Sequence, residues 1–434
     1  MILGGGVTGL AAGWASGLAV YEAEPTLGGI CSSYYVRPHA TARLPRNPED
    51  GEAYRFELGG GHWIFGGDAA VLRFIAKLAP VKTYQRKSSV YFPRQRLYVP
   101  YPLQNHLGYL SEEVRARALP EILDSRAAPC RTMQEWLVQS FGATLTAAFF
   151  GPFHELYTAG LWTEIAPQDA YKTPVDTAQV IRGASAATSP VGYNTSYIYP
   201  AEGLNVLAQR MASQCRVLTG KRVIGIDLQR RCVGYEDGTE TAYRTLVSTL
   251  PLNKMVEMLG IRLAEPPDPY TSVLVLNIGA IRGENCPQDH WIYIPQSQSG
   301  FHRVGFYSNV DPSFLPRSSA QTSDRVGIYV EKAYRGGQRP SAREVEGYAA
   351  AAVQELRDWG FIRDTEVVDP TWIDVAYTWS WPGSRWRAAA LKKLDELDIQ
   401  MVGRYARWNF QGIADSIRDG FIVGAALRNS PDGS

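Results

Sequence analysis

The first thirty residues constrain the fold more than any other stretch. Two apolar residues, 2–3, run directly into the glycine-rich turn 4–9, and a short helical stretch then leads to the apolar run 18–21 and to Glu22. Strand, glycine turn, helix, strand and acid is the order of a dinucleotide-binding βαβ unit. The sequence therefore predicts a Rossmann-like start in which Glu22 accepts hydrogen bonds from a ribose.

Each glycine of this turn has its own task. Gly4 allows a tight turn, Gly6 lets the backbone approach a pyrophosphate, and Gly9 lets the helix pack closely on the strand. The amides of Val7 and Thr8 then lie at the helix N-terminus, where a phosphate group is favoured. On its own the motif is a weak signal, because a glycine-rich turn without any ligand is a common alternative.

A second glycine pair strengthens the prediction. Gly28 and Gly29 follow shortly after Glu22 and Ala23, a pattern that resembles the FAD-binding proteins of the amine-oxidase and sugar-mutase superfamily and that simple nicotinamide dehydrogenases usually lack. The interval from Gly9 to Glu22 is several residues shorter than the usual spacing of about twenty. This short interval leaves the affinity for FAD open, although it does not change the predicted fold.

Composition excludes several classes of partner. The 434 residues suffice for two or three domains, and a formal net charge of +1 gives no electrostatic case for nucleic acid or an anionic membrane surface. No apolar run approaches the roughly 18 residues of a spanning helix, and we expect no signal peptide. The five cysteines form no C-x-x-C pair, so we expect free thiols, no metal site and a cytoplasmic location. The oligomeric state stays open.

The chain divides into segments of unlike pattern. Residues 106–190 carry helix signals, whereas residues 256–395 contain several short strands. We therefore predict an α/β protein, in which a Rossmann-like FAD-binding domain with an inserted helical lobe accompanies an antiparallel β-sheet substrate domain. The FAD-binding domain is assembled from residues 1–105, 191–255 and 396–434.

Four later motifs stand in a fixed order along the chain. They are Gly60-Gly61-His62-Trp63, Pro100-Tyr101-Pro102-Leu103-Gln104-Asn105, Phe301-His302-Arg303 and Gly403-Arg404-Tyr405. In combination with the glycine turn they resemble the UDP-galactopyranose mutase family, and its eukaryotic-type branch more than the common bacterial one. The resemblance spans nearly the whole chain.

The resemblance implies a mechanism. Reduced FAD, the active form of the cofactor, attacks the anomeric carbon of a nucleotide-diphosphate sugar through flavin N5, and the nucleotide diphosphate leaves. The flavin–sugar adduct opens and recloses through a different hydroxyl, and the diphosphate returns. Pyranose and furanose are interconverted with no net redox change, because the cofactor acts as a nucleophile.

The resemblance also implies three catalytic residues. Arg303 and Arg404 match the diphosphate-binding arginines of the family, and a planar guanidinium suits paired phosphate oxygens. His62 matches the histidine that lies over the flavin and tunes N5. Outside these motifs an ion pair would explain either arginine equally well, and a satisfied buried histidine would be the better explanation of His62.

The remaining site residues are likewise implied by the resemblance, and no metal ligand is among them. The expected cofactor-binding residues are Gly4, Gly6, Val7, Thr8, Gly9, Glu22, Ala23, Gly28, Gly29, Gly60, Gly61, His62, Val223, Thr249, Gly403 and Arg404. The expected nucleotide-sugar-binding residues are Tyr101, Gln104, Phe153, His154, Glu155, Tyr157, Lys172, Arg182, Asn194, Arg303, Trp381 and Arg404.

Some positions depart from the family pattern. Val310 and Phe410 stand where the family has tyrosines. Two hydroxyl donors to the diphosphate are therefore missing, and Lys172 or Arg182 would have to compensate. Trp381 stands at the position of another tyrosine that contacts the diphosphate.

A further departure bears on the base. The family tryptophan near uracil is replaced around Thr158, and Glu155 could pair with the N1–H and the 2-amine of guanine, which uracil lacks. We therefore predict GDP-galactose slightly ahead of UDP-galactose as the substrate, as in an actinobacterial GDP-galactose mutase.

Two other functions stay open at this point. A flavin oxidase of the amine or protoporphyrinogen type shares the first thirty residues, but an amine substrate has no use for two diphosphate-binding arginines and Gln104. A binding protein that has lost its flavin chemistry is supported weakly by the short interval before Glu22 and by the two missing tyrosines.

Overall fold

A computed structural model describes residues 1–125, 128–168, 175–185 and 195–429. The strands are β1 (Ile2–Leu3), β2 (Val20–Tyr21), β3 (Ser33–Val36), β4 (Tyr54–Glu57), β5 (Val81–Gln85), β6 (Ser88–Phe92), β7 (Leu97–Pro100), β8 (Ser196–Pro200), β9 (Val217–Leu218), β10 (Val223–Asp227), β11 (Cys232–Tyr235), β12 (Glu240–Ala242), β13 (Leu246–Ser248), β14 (Tyr270–Arg282), β15 (Trp291–Tyr293), β16 (Arg303–Phe306), β17 (Arg325–Arg335), β18 (Ile362–Thr378) and β19 (Ile399–Met401). The helices are α1 (Val7–Ser16), α2 (Ala69–Leu78), α3 (Glu112–Leu123), α4 (Met133–Leu145), α5 (Gly151–Tyr157), α6 (Thr177–Ser185), α7 (Leu204–Ala212), α8 (Leu252–Met258), α9 (Tyr307–Val310), α10 (Ala342–Asp358), α11 (Trp386–Asp395) and α12 (Ile413–Arg428).

A five-stranded parallel sheet forms the first half of the molecule, in the order β19-β13-β1-β2-β9. Its central strands are fully buried, as Ile2, Val20 and Val247 show, because a parallel sheet is covered on both faces. Helix α1 follows β1 directly and packs against α12. The predicted βαβ unit at the start of the chain is therefore present, and it is joined to a helix from the end of the sequence.

A seven-stranded sheet forms the second half, in the order β18-β14-β17-β16-β15-β6-β7. All neighbours run antiparallel except β15 and β6. Alternate residues of β14 face opposite sides: Leu274 and Leu276 pack in a core with α10, whereas Val273 and Val275 join the core shared with the first half. One face of this sheet is thus closed by a helix, and the other is directed towards the parallel sheet.

Helices α3 to α6 form a lobe against the edge strands β6 and β7. Helix α4 begins with a capping box between Thr132 and Glu135, which satisfies backbone donors at its start. A π-helical turn, Thr146–Phe150, joins α4 to α5. Such turns change which side chains face inwards, and here the change brings aromatic rings towards the neighbouring sheet.

The predicted fold class is confirmed, since a parallel sheet with crossing helices stands beside a separate, mainly antiparallel sheet. Within the described ranges, no helix is both long and apolar enough to cross a membrane. The five cysteines are free, and the part of the chain that the structure covers holds no group of three or more potential metal ligands.

Candidate active site

The glycine turn brings β1 and α1 into close contact. Gly4 has φ +100°, in the region that favours glycine, and a Cβ there would overlap the hydroxyl of Thr249. A Cβ on Gly9 would overlap the carbonyl oxygen of Gly4. Both glycines are therefore required by the packing that the sequence pattern predicts, and the side chain of Thr249 packs against Gly4.

The N-terminus of α1 is open. Gly6 is its N-cap residue and supplies no side chain to cap the helix, so the first amides, those of Val7 and Thr8, keep their capacity to bind an anion. A Cβ on Gly6 would have only the Gly28 carbonyl nearby, at 3.9 Å. Gly28 and Gly6 form an isolated parallel bridge, so the second glycine pair borders the same open space.

Glu22 holds the turn in shape at the end of β2. Its carboxylate accepts hydrogen bonds from the amides of Gly5 at 2.6 Å and Glu24 at 2.8 Å. Its carbonyl oxygen accepts from the amide of Lys221 at 2.8 Å, which places Val223 of β10 close to the same strand end. The sequence predicts both residues for the cofactor, and the structure brings them to one edge of the parallel sheet.

Two connected cavities lie between the parallel sheet, the large sheet and the helical lobe. The inner cavity, about 250 Å³ in volume, includes Gly59, His62, Arg404 and Gly412 in its wall. The outer cavity, about 280 Å³ in volume, is lined mainly by aromatic rings and reaches into the helical lobe. The walls common to both are Gly61, Trp63, Phe65, Arg303, Tyr377 and Phe410.

His62 is neutral in the wall of the inner cavity. Its Nδ1 lies 3.2 Å from the carbonyl oxygen of Gly60, and because a carbonyl only accepts, Nδ1 carries the proton. Burial lowers the pKa of His62 to about 4. The loop is tightly held, since a Cβ on Gly60 would lie 2.9 Å from Glu331 Oε1 and one on Gly61 would overlap the Tyr329 hydroxyl.

Arg303 has a carboxylate partner. Its Nη2 lies 2.6 Å from both oxygens of Glu331, and His302 Nε2 lies 3.5 Å from the same carboxylate. Burial alone would raise the pKa of Glu331, but the Arg303 guanidinium and His302 lower it to about 2. The carboxylate is therefore ionised, and it compensates the charge of one guanidinium in the shared wall.

Arg404 is placed differently. Its guanidinium donates to two backbone carbonyls, those of Gln411 at 3.3 Å and Ala376 at 3.2 Å, and lies 4.4 Å from the centre of the Phe410 ring. Within the described residues it forms no ion pair, so its positive charge in the inner cavity is not compensated by a carboxylate. Phe410 thus supplies an aromatic face where the family pattern has a tyrosine.

The segment 403–413, near the other end of the sequence from α1, packs against α1 and forms part of the wall of the inner cavity. Gly403 has φ +97°, and a Cβ there would lie 2.9 Å from Thr8 Oγ1 of α1. Helix α12 begins nearby with Gly412 as an N-cap that provides no side-chain hydrogen bond, and Gly412 and Ile413 line the cavity. The positive end of a second helix therefore faces the same space.

Aromatic rings dominate the outer cavity. Tyr101 and Tyr293 lie with ring centres 4.7 Å apart on one side, and Phe153 and Tyr157 of α5 stack at 5.5 Å on the other. His154 lies beside them in the wall. Of the residues expected to bind the substrate, the structure brings Tyr101, Phe153, His154 and Tyr157 together with Arg303 in this cavity. Val310, at the position of a family tyrosine, is buried in the core.

The expectation for Glu155 is wrong. It is exposed, does not line either cavity, and its carboxylate accepts a hydrogen bond from Trp162 Nε1 at 2.8 Å. On α5 the side chains at 153, 154 and 157 face the cavity, and helical periodicity directs position 155 away from it. Glu155 therefore does not lie where it could select guanine over uracil.

Three other expected substrate residues also lie outside the cavities. Gln104 is completely buried in a short 3-10 helix, Arg182 is exposed on α6, and Trp381 directs its indole N–H to the carbonyl oxygen of Pro267 at 3.0 Å. Trp381 follows the end of β18, so it lies beyond the strand that forms the wall. Lys172 and Asn194 lie outside the described residues.

Three site residues were missed. Tyr377, near the end of β18, lines both cavities, and its hydroxyl lies 3.4 Å from Arg303 Nη2. Glu331 of β17 is the partner of Arg303, and Arg86, between β5 and β6, lines the outer cavity. The alternation of side chains between the two faces of β18 could have indicated Tyr377. Nothing in the sequence indicates that Glu331 lies opposite Arg303, because that contact depends on the register of β16 against β17.

The parallel sheet, the open helix start and the cavity beyond them define a class of proteins that bind a nucleotide cofactor. A family model described as "Flavin containing amine oxidoreductase" matches residues 10–273. This match covers more than half of the chain, so the chain belongs to that family, and a flavin is the cofactor that the family implies.

Solved structures share the fold over the full chain. A reduced UDP-galactopyranose mutase superposes with a TM-score of 0.81 at 20% identity, covering 100% of this chain and 96% of that chain. A putative protoporphyrinogen oxidase from Exiguobacterium sp. 255-15 gives 0.70 at 14% identity, with 98% of both chains covered, and putrescine oxidase bound to putrescine gives 0.60 at 15%, also with 98% of both. The predicted resemblance to UDP-galactopyranose mutase is thus confirmed for the fold.

The residues fit a flavin. The uncapped start of α1 and the open space before Gly6 suit a phosphate group. Ile30, immediately after Gly29, and Gly412, the N-cap of α12, both line the inner cavity. His62 and the N-terminus of α12 line this cavity and would be among the groups that hold the ring of the cofactor. The chain therefore has a place both for the phosphates and for the ring of this cofactor.

Proposed function

We propose that this chain is a FAD-dependent mutase that interconverts the pyranose and furanose forms of a nucleotide-diphosphate hexose, either UDP- or GDP-galactose. The observation that carries the proposal is Arg404, whose guanidinium donates to two backbone carbonyls and lies over the rings of Tyr377, Tyr405 and Phe410. Among the described residues it has no carboxylate partner. A partly buried guanidinium in a cavity, without a carboxylate partner, is suited to an anionic ligand.

The charge of the cavity favours this substrate over an amine. The carboxylates in the inner wall, Glu331 and Asp415, already face Arg303 and Arg418, so the charge of Arg404 remains. A diphosphate is attracted to that charge, whereas a protonated amine is repelled. This supports the mutase over the amine oxidase, which the fold alone would allow.

The residues of the chain would divide the work. Arg404 and the unbonded edge of Arg303 hold the diphosphate as its bond to the sugar breaks, because fixed positive charge stabilises a leaving anion. His62, being neutral, adds no competing charge beside the reacting carbon. When bound, a reduced flavin supplies the nucleophile for the anomeric carbon. The aromatic rings of the outer cavity exclude water, which would otherwise hydrolyse the activated sugar.

The test is an assay of UDP-galactose and GDP-galactose with the oxidised protein and with protein reduced by dithionite. Because the nucleophile requires the reduced cofactor, we expect furanose product, resolved by chromatography, only after reduction and without net consumption of reductant. Equal turnover by the oxidised protein would contradict the mechanism. Oxygen consumption with amines, in the absence of any furanose product, would establish the oxidase instead.

A further inference from the structure

His154 occupies an unusual position in the outer cavity. It lies on α5, directly after the π-helical turn, and lines the cavity. Its Nδ1 lies 2.7 Å from the carbonyl oxygen of Phe150. A carbonyl only accepts hydrogen bonds, so Nδ1 is the protonated nitrogen of this ring.

The opposite nitrogen is an acceptor. Burial lowers the pKa of His154 to about 4, so the ring carries a single proton near neutral pH, and Nε2 presents a lone pair. The Nδ1 edge faces the helix to which His154 belongs, which leaves the Nε2 edge for the cavity. The structure gives Nε2 no hydrogen-bond partner among the described residues, and an acceptor in such a place is suited to a ligand donor.

A flat aromatic wall adjoins this acceptor. Phe149, Phe153 and Tyr157 follow one another at intervals of four residues, and their rings stack with centres 5.5 Å apart and planes within 28°. The imidazole of His154 stands at 89° to the ring of Phe153, with centres 5.4 Å apart. A planar ligand that stacks parallel to the Phe153 ring is then perpendicular to the imidazole, so a ring N–H at its edge can point towards Nε2 within the imidazole plane.

We propose that Nε2 of His154 accepts a hydrogen bond from the ring N–H of a nucleobase that stacks on Phe153 and Tyr157. The inference rests on the proposed function, which supplies a nucleotide as the ligand. The N–H is N3–H if the base is uracil and N1–H if it is guanine. His154 is then a residue that determines base specificity, in the role that the sequence assigned to Glu155.

A neutral acceptor divides the four bases into two classes. Uracil and guanine carry a donor N–H at this ring position, whereas the corresponding nitrogen is an acceptor in cytosine and adenine. Two acceptors facing each other in a buried site leave both unpaired, and such a site rejects the mismatched ligand strongly. We therefore expect UDP and GDP to bind at least tenfold more tightly than CDP and ADP.

The decisive experiment combines a substitution with a matched change in the ligand. The flavin-loaded protein and its His154→Phe variant are titrated calorimetrically with UDP, N3-methyl-UDP, GDP and N1-methyl-GDP. Phe keeps the ring but removes the acceptor, and methylation removes the donor. For the better-bound nucleotide, each change alone should weaken binding by about tenfold, the range expected for one lost hydrogen bond with a buried partner.

The two changes together should cost no more than either one, because each removes the same hydrogen bond. His154→Gln places an amide oxygen near the position of Nε2 and should restore part of the loss for the unmethylated nucleotide. His39→Gln serves as the matched control, since the His39 side chain is 74% exposed and outside both cavities.

Each outcome has a definite meaning. Binding of UDP or GDP with independent, multiplicative effects of methylation and substitution would overturn the assignment of His154 and leave the mutase proposal intact. Tighter binding of CDP or ADP would also overturn it. Failure of UDP and GDP to bind the unaltered protein would overturn both proposals. Which methylated nucleotide is rejected identifies the base.

Discussion

Arg303 and Arg404 share a cavity wall but have opposite electrostatic surroundings. Arg303 is locked to Glu331, whose side chain is only 2% exposed, whereas Arg404 is held by backbone carbonyls. Removing one member of a buried ion pair leaves an uncompensated charge in a poorly solvated place. The two arginines should therefore respond differently to the same substitution.

Arg404→Ala should weaken the binding of UDP or GDP by at least tenfold, because a charge-assisted hydrogen bond contributes about 1.5–3 kcal/mol. Its effect on the free energy of unfolding should be small. Arg303→Ala should also lower the free energy of unfolding, by about 3–5 kcal/mol, since it leaves the buried carboxylate of Glu331 without its ion-pair partner. Nucleotide titration and urea unfolding measure the two quantities separately.

Arg385→Ala is the control for this pair. Arg385 is 87% exposed and contacts Glu265 at 3.3 Å, so its loss should change neither quantity by more than about 0.5 kcal/mol. Equal losses of stability in the Arg303→Ala and Arg404→Ala variants would contradict the different electrostatic surroundings of the two arginines. Normal nucleotide binding by both would show that the cleft does not hold a diphosphate.

At the scale of residues, the sequence identifies those site residues that stand in short, contiguous motifs. His62, Arg303 and Arg404 each stand in a short motif, and all three line the cavities. Glu331 and Tyr377 could not be found in the same way, because their place depends on the register of β17 and β18 against distant strands. Whether each residue acts as the family resemblance implies stays a prediction.

At the scale of elements, the close contact of α1 and α12 decides the shape of the cofactor site. A Cβ on Gly420 would overlap the carbonyl oxygen of Thr8, and one on Gly424 would lie 2.5 Å from the carbonyl oxygen of Ala12. Two helix backbones can approach this closely only where one of them has glycine at the points of contact. Thr8 belongs to the open end of α1, so the contact also holds the predicted phosphate-binding amides in place.

Gly420→Ala should lower the free energy of unfolding by about 1–3 kcal/mol, because the added methyl group overpacks the helix contact. It should also lower the affinity for flavin, since α1 must shift. Gly347→Ala is the matched control. Gly347 lies inside α10 with open space around it, so alanine there should be neutral or stabilising by up to about 1 kcal/mol.

Urea unfolding and the flavin absorbance of the purified variants measure these effects. A fully stable Gly420→Ala variant that retains its flavin would show that the contact between α1 and α12 is looser than described.

Element types were largely predictable, and element contacts were not. Helix α2 begins after Asp68, whose carboxylate accepts a hydrogen bond from the amide of Ala70 at 2.7 Å. Such a cap is a local interaction of the kind that a sequence can indicate. The orientation of α5 was not predictable, since it depends on the π-helical turn before it. On this helix His154 lines the outer cavity, whereas Glu155 is exposed.

At the scale of the whole molecule, buried histidines link stability to pH. Burial is the main cause that lowers the pKa of His62, His106, His154 and His290 to about 4 each. An unfolded histidine titrates near 6.5. Between these values unfolding takes up protons, so stability is present above pH 6.5 and is lost as the pH falls towards 4.

The free energy of unfolding should therefore fall as the pH is lowered from 6.5 to 4. Burial raises the pKa of Glu57 to about 7, which acts in the opposite sense, because the folded protein then holds one proton more than the unfolded chain between about 4.5 and 7. The buried histidines outnumber this glutamate, so we expect unfolding to take up protons overall between pH 6.5 and 4.5.

Urea unfolding at pH 7, 6 and 5 measures this slope. His290→Gln should reduce it by the contribution of about one proton, as it removes one of the four groups. A free energy of unfolding that is constant from pH 7 to 5 would contradict the neutral state of these histidines.

The fold class was predictable because two of its features are local in the sequence. They are the βαβ pattern of the first thirty residues and the helix signals of residues 106–190. The order of strands in the parallel sheet could not be predicted from the sequence, since β13 and β19 have only three residues each. Their places beside β1 are set by tertiary packing, which overrides such weak local preferences.

The contact between α1 and α12 also has a consequence for the order of events during synthesis. Helix α1 leaves the ribosome early, but Gly420 and Gly424 follow only after nearly the whole described chain. At about 5–20 residues per second, the delay is on the order of tens of seconds. For that time the glycine turn lacks the helix that fixes it, so the nascent chain can acquire its flavin only near the end of translation, after both halves of the molecule have formed.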